Sequence, residues 1–190
     1  SWDMARNEIP AQKWIDLSDG GYGVALLNDS KYGYRVDQDV LDLDLLRSPL
    51  FPDPEADQGQ HTFTYSLFPH TGDYTTGGVV RAGYELNVPV SVAEVPARSG
   101  KGAATGGYFA GVPENVVIEA VKKAEDSDAL VVRVYETWGR PISATLQPGF
   151  AFRQATLTNL MEEDIEDLKV EGGQLTLNFG PFEIHTVKMA

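Results

Sequence analysis

Short runs in which apolar and polar residues alternate recur along this chain, and this pattern limits its fold most strongly. Residues 41–45 alternate leucine with aspartate, and residues 62–67 alternate threonine or serine with larger apolar or aromatic residues. Successive side chains of a β-strand point to opposite faces, so a period of two indicates strands with one buried face. Turns rich in glycine and asparagine separate the runs at short intervals, which is typical of an antiparallel sandwich. We therefore predict an all-β fold.

Other strands are predicted where apolar or β-branched runs lie between turn residues. The dipeptide Gly172-Gly173 separates two such runs and predicts a two-residue hairpin. The predicted strands cover residues 23–27, 40–46, 62–67, 116–124, 130–136, 142–146, 150–157, 168–171, 174–179 and 182–189.

Helix is predicted in only two places. Residues 73–86 carry apolar residues near helical spacing, so we expect a short helix near 75–86, capped by Thr75 or Thr76 and ended by Asn87 and Pro89. The acidic residues 159–167 suggest one turn of helix between two strands.

A glycine-rich stretch at about 99–111 marks the expected seam between two domains. We predict one domain over residues 1–90 and a smaller sandwich over residues 91–190. The Gly-Lys pair within the stretch lacks both the glycine spacing and the following Ser or Thr of a phosphate-binding loop, which argues against a nucleotide site.

The composition excludes several classes of partner. The net charge of −13 opposes binding to nucleic acid or to an anionic membrane, since both require a basic face. The chain has no cysteine, so it can form neither a disulfide nor a thiolate metal site, and we expect a cytoplasmic location. The first residues do not resemble a signal peptide, and no apolar run is long enough to span a bilayer. The chain lacks an initiator methionine, which suggests a piece of a longer polypeptide.

Residues 43–70 are rich in proline, which restricts the backbone, and in histidine, which can bind ligands. They hold four of the eleven prolines and two of the three histidines. Proline fixes the backbone, so a loop of defined shape is predicted. Arg47 stands at its start, where a guanidinium could be held and aimed. The alternative is a local ion pair of Arg47 with Asp42, Asp44 or Asp57.

The residues themselves predict no metal site. His61, His70 and His185 are not spaced to hold one ion from a single strand or helix, so each is expected to make structural hydrogen bonds. Residues 53–64 resemble a calcium loop only superficially, because glycine and glutamate are missing from the required positions. Asp57 and His61 could still meet in space.

No catalytic group can be nominated from the sequence. The many carboxylates are explained by solubility, and no nucleophile motif is present.

Trp138 and Tyr135, with Arg133 and Arg140 nearby, could form an aromatic platform for a sugar. A β-sandwich more often buries such a tryptophan, so core packing is the favoured interpretation.

Several blocks of the sequence resemble, in order and spacing, the C-terminal β-region of glycoside hydrolase family 38 α-mannosidases of the bacterial and vacuolar type. The resemblance covers nearly the whole chain, and its first two blocks are specific. The blocks lie at residues 8–18 with 21–34, 45–70, 115–125, 133–139 and 180–186.

The resemblance implies a retaining, zinc-dependent exo-α-mannosidase, with an aspartate nucleophile, an aspartate acid/base and zinc held by two histidines and two aspartates. None of those motifs occurs in this chain, so it is expected to hold no catalytic residue, no metal and no cofactor. Its expected partner is the N-terminal catalytic barrel of the same polypeptide, with mannosides or glycans bound by the whole enzyme. The resemblance places Arg47 at the rim of the substrate pocket, and Asp57, Gln58 and His61 in a motif that shapes the loop.

Under this interpretation the chain is the end of a large super-sandwich followed by a smaller C-terminal sandwich. Two alternatives remain open. An autonomous carbohydrate-binding module would expose Trp138, Tyr108 or Trp14 beside a coplanar neighbour. An oligomerisation domain would form a homo-oligomer through a large apolar patch.

Overall fold

The computed structural model confirms an all-β fold, built in the residues it describes from antiparallel sheets and one short helix. It describes residues 8–96, 100, 102 and 105–190. The chain divides into two compact units, Ser1–Pro96 and Ala97–Ala190.

The first unit contains two three-stranded antiparallel sheets and the helix. One sheet has the strand order β2-β3-β6, and the other has the order β1-β4-β5. The elements are β1 (Ile9–Pro10), β2 (Trp14–Ser18), β3 (Tyr22–Asn28), β4 (Gly33–Asp37), β5 (Val40–Leu43), β6 (Tyr65–Thr71) and α1 (Val79–Asn87).

The central strand β3 is apolar on both faces because it is covered on both sides. Ala25 and Leu27 point toward α1 and form one buried cluster with Val79. Leu26 points the other way and packs with Tyr34 in a second cluster, which also includes residues of β1 and β5. The β2-β3-β6 sheet thus lies between the helix and the second sheet.

The predicted helix is confirmed, although its start and its cap differ from the prediction. It begins at Val79, after Gly78 in a left-handed conformation, and no side chain caps it. Thr75 and Thr76 do not cap it because their main-chain N–H groups and hydroxyls donate to the Asp73 carboxylate in the preceding turn. The two threonines that we predicted as helix caps thus belong to a turn closed by the Asp73 side chain.

The second unit is a two-sheet antiparallel sandwich. A four-stranded sheet of order β13-β14-β10-β7 faces a five-stranded sheet of order β12-β11-β15-β9-β8, with the largest apolar core of the chain between them. The strands are β7 (Phe109–Ala110), β8 (Val116–Lys123), β9 (Leu130–Glu136), β10 (Ile142–Pro148), β11 (Ala155–Thr158), β12 (Asp164–Leu168), β13 (Val170–Glu171), β14 (Gln174–Phe179) and β15 (Ile184–Met189).

The hairpin at Gly172-Gly173 is confirmed, since β13 pairs with β14 and both glycines have positive φ. The predicted turn of helix at 159–167 is wrong. Asn159 closes a tight turn with its side chain, and the strand β12 begins at Asp164. Within the glycine-rich stretch, Phe109–Ala110 forms a short strand, whereas residues 99, 101, 103 and 104 lie outside the described residues.

Several strand limits also move. The strand predicted at 40–46 ends at Leu43, and the one predicted at 150–157 begins only at Ala155. The sequence pattern missed the strands β1, β2, β4 and β7, and all of β12 except Leu168. Within the described residues, no helix is long and apolar enough to cross a membrane.

Candidate functional site

The proline-rich loop of the first unit is held by bonds within itself. The Asp57 carboxylate accepts a hydrogen bond of 2.8 Å from the main-chain N–H of Ser48. The Gln58 amide donates to the Pro54 carbonyl at 3.3 Å, and a ring nitrogen of His61 lies 2.9 Å from the Asp57 carbonyl. Asp57 and His61 therefore meet, but through the main-chain oxygen rather than the carboxylate. All three side chains thus contact the backbone of the loop itself.

Arg47 is paired with a residue that the sequence did not suggest. Its guanidinium lies 3.1 Å from the Glu8 carboxylate, and the two side chains are 73% and 55% exposed. Asp42 instead pairs with Arg35 at 2.7 Å across β4 and β5. Such an exposed pair contributes roughly 0–1 kcal/mol to stability, so Arg47 remains available to a ligand.

A cleft of about 570 Å³ opens beside the loop. It brings together the start of β1, the turn between β3 and β4, and the chain that follows β5. Its polar and aromatic lining includes Glu8, Lys31, Tyr32, Asp44, Arg47 and His61.

The turn between β3 and β4 is fixed by a buried asparagine. The Asn28 side-chain oxygen accepts hydrogen bonds from the N–H groups of Ser30 and Lys31, at 3.1 and 2.6 Å. Its amide group donates to the hydroxyl of Tyr34, and burial raises the pKa of that phenol. The sequence analysis did not identify the Asn28–Tyr34 pair or the cleft residue Tyr32. The sequence signal for this turn was a group of polar residues directly after the apolar strand β3.

The other histidines are structural. His70 is buried against Asp16 in the first unit, with the ring nitrogen 2.6 Å from the carboxylate. A ring nitrogen of His185 lies 3.0 Å from the Asn178 carbonyl in the second unit. The described residues contain no group of three or more His, Asp or Glu side chains that could hold a metal ion. The zinc ion implied by the resemblance therefore has no fitting site in this part of the chain.

Glu136, at the end of β9, is a fully buried carboxylate. It accepts hydrogen bonds from the N–H groups of Trp138, Gly139 and Phe182, at 2.7, 2.8 and 3.0 Å, and from the Asn115 amide at 3.1 Å. Burial raises the pKa of Glu136, but these donors lower it by more, and the net pKa is lowered. Glu136 therefore organises the turn after β9.

The candidate sugar-platform residues do not form an exposed platform. Trp138 is half-buried in the turn that Glu136 organises and is not among the residues of the central core. Trp14 stacks on Tyr74 at 5.4 Å and packs in the cluster beneath α1. Tyr108 is exposed in the second unit.

Comparison with known proteins agrees with the resemblance. Residues 115–187 match the family model described as "Glycosyl hydrolases family 38 C-terminal beta sandwich domain". Residues 1–55 match the model described as "Glycosyl hydrolases family 38 C-terminal domain".

Relatives match the chain over almost its whole length. It is 41% identical to human alpha-mannosidase 2C1, over 97% of this chain and 18% of that protein. It is 37% identical to alpha-mannosidase G of Dictyostelium discoideum, over 99% of this chain and 18% of that protein. The chain thus spans about a fifth of the length of these relatives.

A solved structure shows the same fold. The crystal structure of an alpha-mannosidase from Enterococcus faecalis V583 superposes with a TM-score of 0.78 at 25% identity, covering 97% of this chain and 21% of that one. With the two family models and the close relatives, this shows that the chain belongs to glycosyl hydrolase family 38 and corresponds to its C-terminal β-sandwich region.

Proposed function

We propose that this chain is the non-catalytic C-terminal part of a retaining, zinc-dependent exo-α-mannosidase, and that it completes and braces the β-structure against which the catalytic barrel packs. Its relatives named as α-mannosidases are about five times longer, which leaves room for a separate catalytic region. Among the described residues, no group of three or more His, Asp or Glu side chains could hold a metal ion.

The observation that carries this proposal is an open apolar side of the first unit. β6 is the last strand of its sheet, so one edge of its backbone has no partner strand among the described residues. Tyr65 and Leu67 on β6 are 58% and 67% exposed. Both line an apolar groove of about 260 Å³ together with Leu41 and Leu43 of β5.

An open edge with apolar side chains is a site for strand pairing or aggregation unless something covers it. On the opposite face of the same strand, Phe68 packs into the cluster beneath α1, so β6 is apolar on both sides. That composition is typical of a strand covered on both faces. We assign the missing cover to the upstream part of the longer polypeptide.

The rim of the cleft provides the second part of the proposal. Arg47 is exposed, lies at the start of a braced loop, and forms a surface ion pair with Glu8. It contacts the substrate pocket of the complete enzyme, while Asp57, Gln58 and His61 keep the loop in shape. Zinc, when bound by the catalytic region, would polarise substrate hydroxyls, and no residue described here takes part in that coordination.

The experiment compares three preparations on an aryl α-mannoside: the longer polypeptide, the same polypeptide ending before residue 8, and this chain alone. We expect hydrolysis only by the first. Hydrolysis by this chain alone would contradict the non-catalytic role. No hydrolysis of any α-mannoside by the longer polypeptide would contradict the mannosidase assignment.

The alternative of a homo-oligomer is tested on the same preparations by light scattering. If the groove belongs to an interface between copies, this chain and the longer polypeptide both form dimers. Under our proposal the longer polypeptide buries the groove within one molecule, and a Leu67→Lys change does not alter its mass in solution.

A further inference from the structure

We propose that the cleft beside the proline-rich loop is a binding subsite for a neutral pyranose sugar, with Tyr32 as its stacking surface. This inference rests on the proposed function for the source of the sugar, an α-mannoside. It adds a ligand class and named residues on this chain. The volume of about 570 Å³ falls within the range of roughly 300–1,000 Å³ that small-molecule sites occupy.

Tyr32 is an exposed ring on a fixed backbone. Its side chain is 60% exposed, although its carbonyl accepts a hydrogen bond of 3.0 Å from the N–H of Ala11. The preceding residues Ser30 and Lys31 are fixed by the buried Asn28 side chain. A ring held in this way loses little freedom when a ligand packs on it, which favours binding. The C–H face of a pyranose is apolar and suits the face of an aromatic ring.

Asp44 supplies a free hydrogen-bond acceptor at the same place. Its main-chain N–H donates to the Gly33 carbonyl at 2.9 Å, which fixes the residue beside the turn. A Cβ added to Gly33 would stand only 2.7 Å from a carboxylate oxygen of Asp44, which is too close for a real contact. Gly33 therefore leaves the space that the carboxylate occupies. Within the described residues the Asp44 carboxylate makes no hydrogen bond or ion pair, so its oxygens can accept from sugar hydroxyls.

The charges around the cleft favour a neutral ligand. Lys31 and Arg47 are basic, whereas Glu8, Asp44 and Asp57 are acidic. A phosphate would meet three carboxylates, and no group of three metal-ligating side chains is present among the described residues to hold a cation. Interspersed donors and acceptors beside an aromatic face match the hydroxyls of a sugar.

The test follows backbone amide chemical shifts of this chain by NMR during titration with methyl α-D-mannopyranoside, and separately with inorganic phosphate. We expect saturable shifts at residues 31–33 and 44–47 with the mannoside only, with a Kd of about 1 mM. Tyr32→Ala is expected to weaken binding about tenfold, and Asp44→Asn to weaken it several-fold. The control Tyr108→Ala, which removes a more exposed tyrosine in the second unit, should leave the Kd unchanged.

Tyr32→Leu, which keeps apolar volume but removes the ring, provides a second variant if Tyr32→Ala perturbs the amide spectrum elsewhere. Shifts that do not saturate, that appear equally with phosphate, or that saturate with an unchanged Kd in both Tyr32 variants would overturn the inference. The two proposals fail separately. Hydrolysis by the longer polypeptide without shifts at the cleft removes only the subsite, and shifts without hydrolysis remove only the mannosidase assignment.

Discussion

His70 and Asp16 join the two outer strands of the β2-β3-β6 sheet across its central strand. The His70 ring nitrogen and the Asp16 carboxylate oxygen are 2.6 Å apart, with side chains only 3% and 5% exposed. The ring crosses β3 at Gly23, the residue paired with His70 in the register. A Cβ at Gly23 would stand 2.4 Å from the ring, and one at Gly77 would stand 2.2 Å from its other side. The two glycines therefore form the walls of the space that the imidazole fills.

We predict that Gly23→Ala destabilises the first unit by about 1–3 kcal/mol, because the added methyl overlaps a ring that cannot move away. The added methyl would also stand only 2.8 Å from the Ser18 Cβ, so it cannot shift in that direction. Urea denaturation monitored by tryptophan fluorescence gives the free energy of unfolding. The matched control is Gly21→Ala, where the nearest atom lies 4.0 Å away, and it should change stability by less than about 0.5 kcal/mol. Equal effects of the two changes would contradict this explanation of Gly23.

A double-mutant cycle on Asp16→Ala and His70→Ala should give a coupling energy of about 1–3 kcal/mol. Each single change leaves a buried polar partner without its hydrogen bond, whereas the double change removes both partners. The double variant should therefore be more stable than the sum of the single effects predicts. Strict additivity of the two single changes would show that the 2.6 Å contact does not contribute to stability.

Glu136→Gln is expected to destabilise the second unit by about 2–3 kcal/mol, because an amide group would face N–H donors that need an acceptor. The pKa of Glu136 is lowered in the folded chain, so the stability it contributes is present at neutral pH and is lost as the pH falls through that folded pKa. At a pH well below the ordinary glutamate pKa of about 4.3, the difference between wild type and Glu136→Gln should shrink. Glu166→Gln, on the exposed strand β12, is the control. A difference that stays constant from neutral to acidic pH would contradict this role.

Arg47→Ala in the longer polypeptide should lower kcat/KM for an α-mannoside by about tenfold or more, since it removes a cation from the proposed pocket rim. Arg47→Lys should restore only part of the activity, because lysine lacks the planar fork of donors. The control is Arg81→Ala, which removes an arginine that also forms an exposed ion pair, but on the helix. Unchanged kinetics for Arg47→Ala would place this side chain away from the substrate.

The sequence predicted the fold class well because alternation and turn chemistry are local signals. The strands Leu130–Glu136 and Gln174–Phe179 agree with the prediction residue by residue, and the hairpin turn lies at Gly172-Gly173 as predicted. Features set by tertiary contacts were not predictable. Glycine is unfavourable in a helix interior, yet a Cβ at Gly83 would stand 2.8 Å from the Trp14 ring, so this glycine lets the helix approach the sheet.

The candidate site shows the same division. The proline pattern indicated a fixed loop, and its internal hydrogen bonds are local ones. The partner of Arg47 is Glu8, which lies far away in the sequence, and no spacing rule identifies it. The cleft itself joins three separate segments, so Tyr32 and Asp44 acquire significance only in the folded chain.

The central claim is that the open side of the first unit is covered by the rest of the polypeptide. Amide hydrogen exchange of β6, Tyr65–Thr71, measured in this chain and in the longer polypeptide, tests it most directly. The account predicts that β6 exchanges at least about tenfold more slowly in the longer polypeptide, because its free edge and the Leu67 side of the groove are then paired and buried. The interior strand β14, Gln174–Phe179, should exchange equally in both. Equal exchange of β6 in the two preparations would contradict the claim.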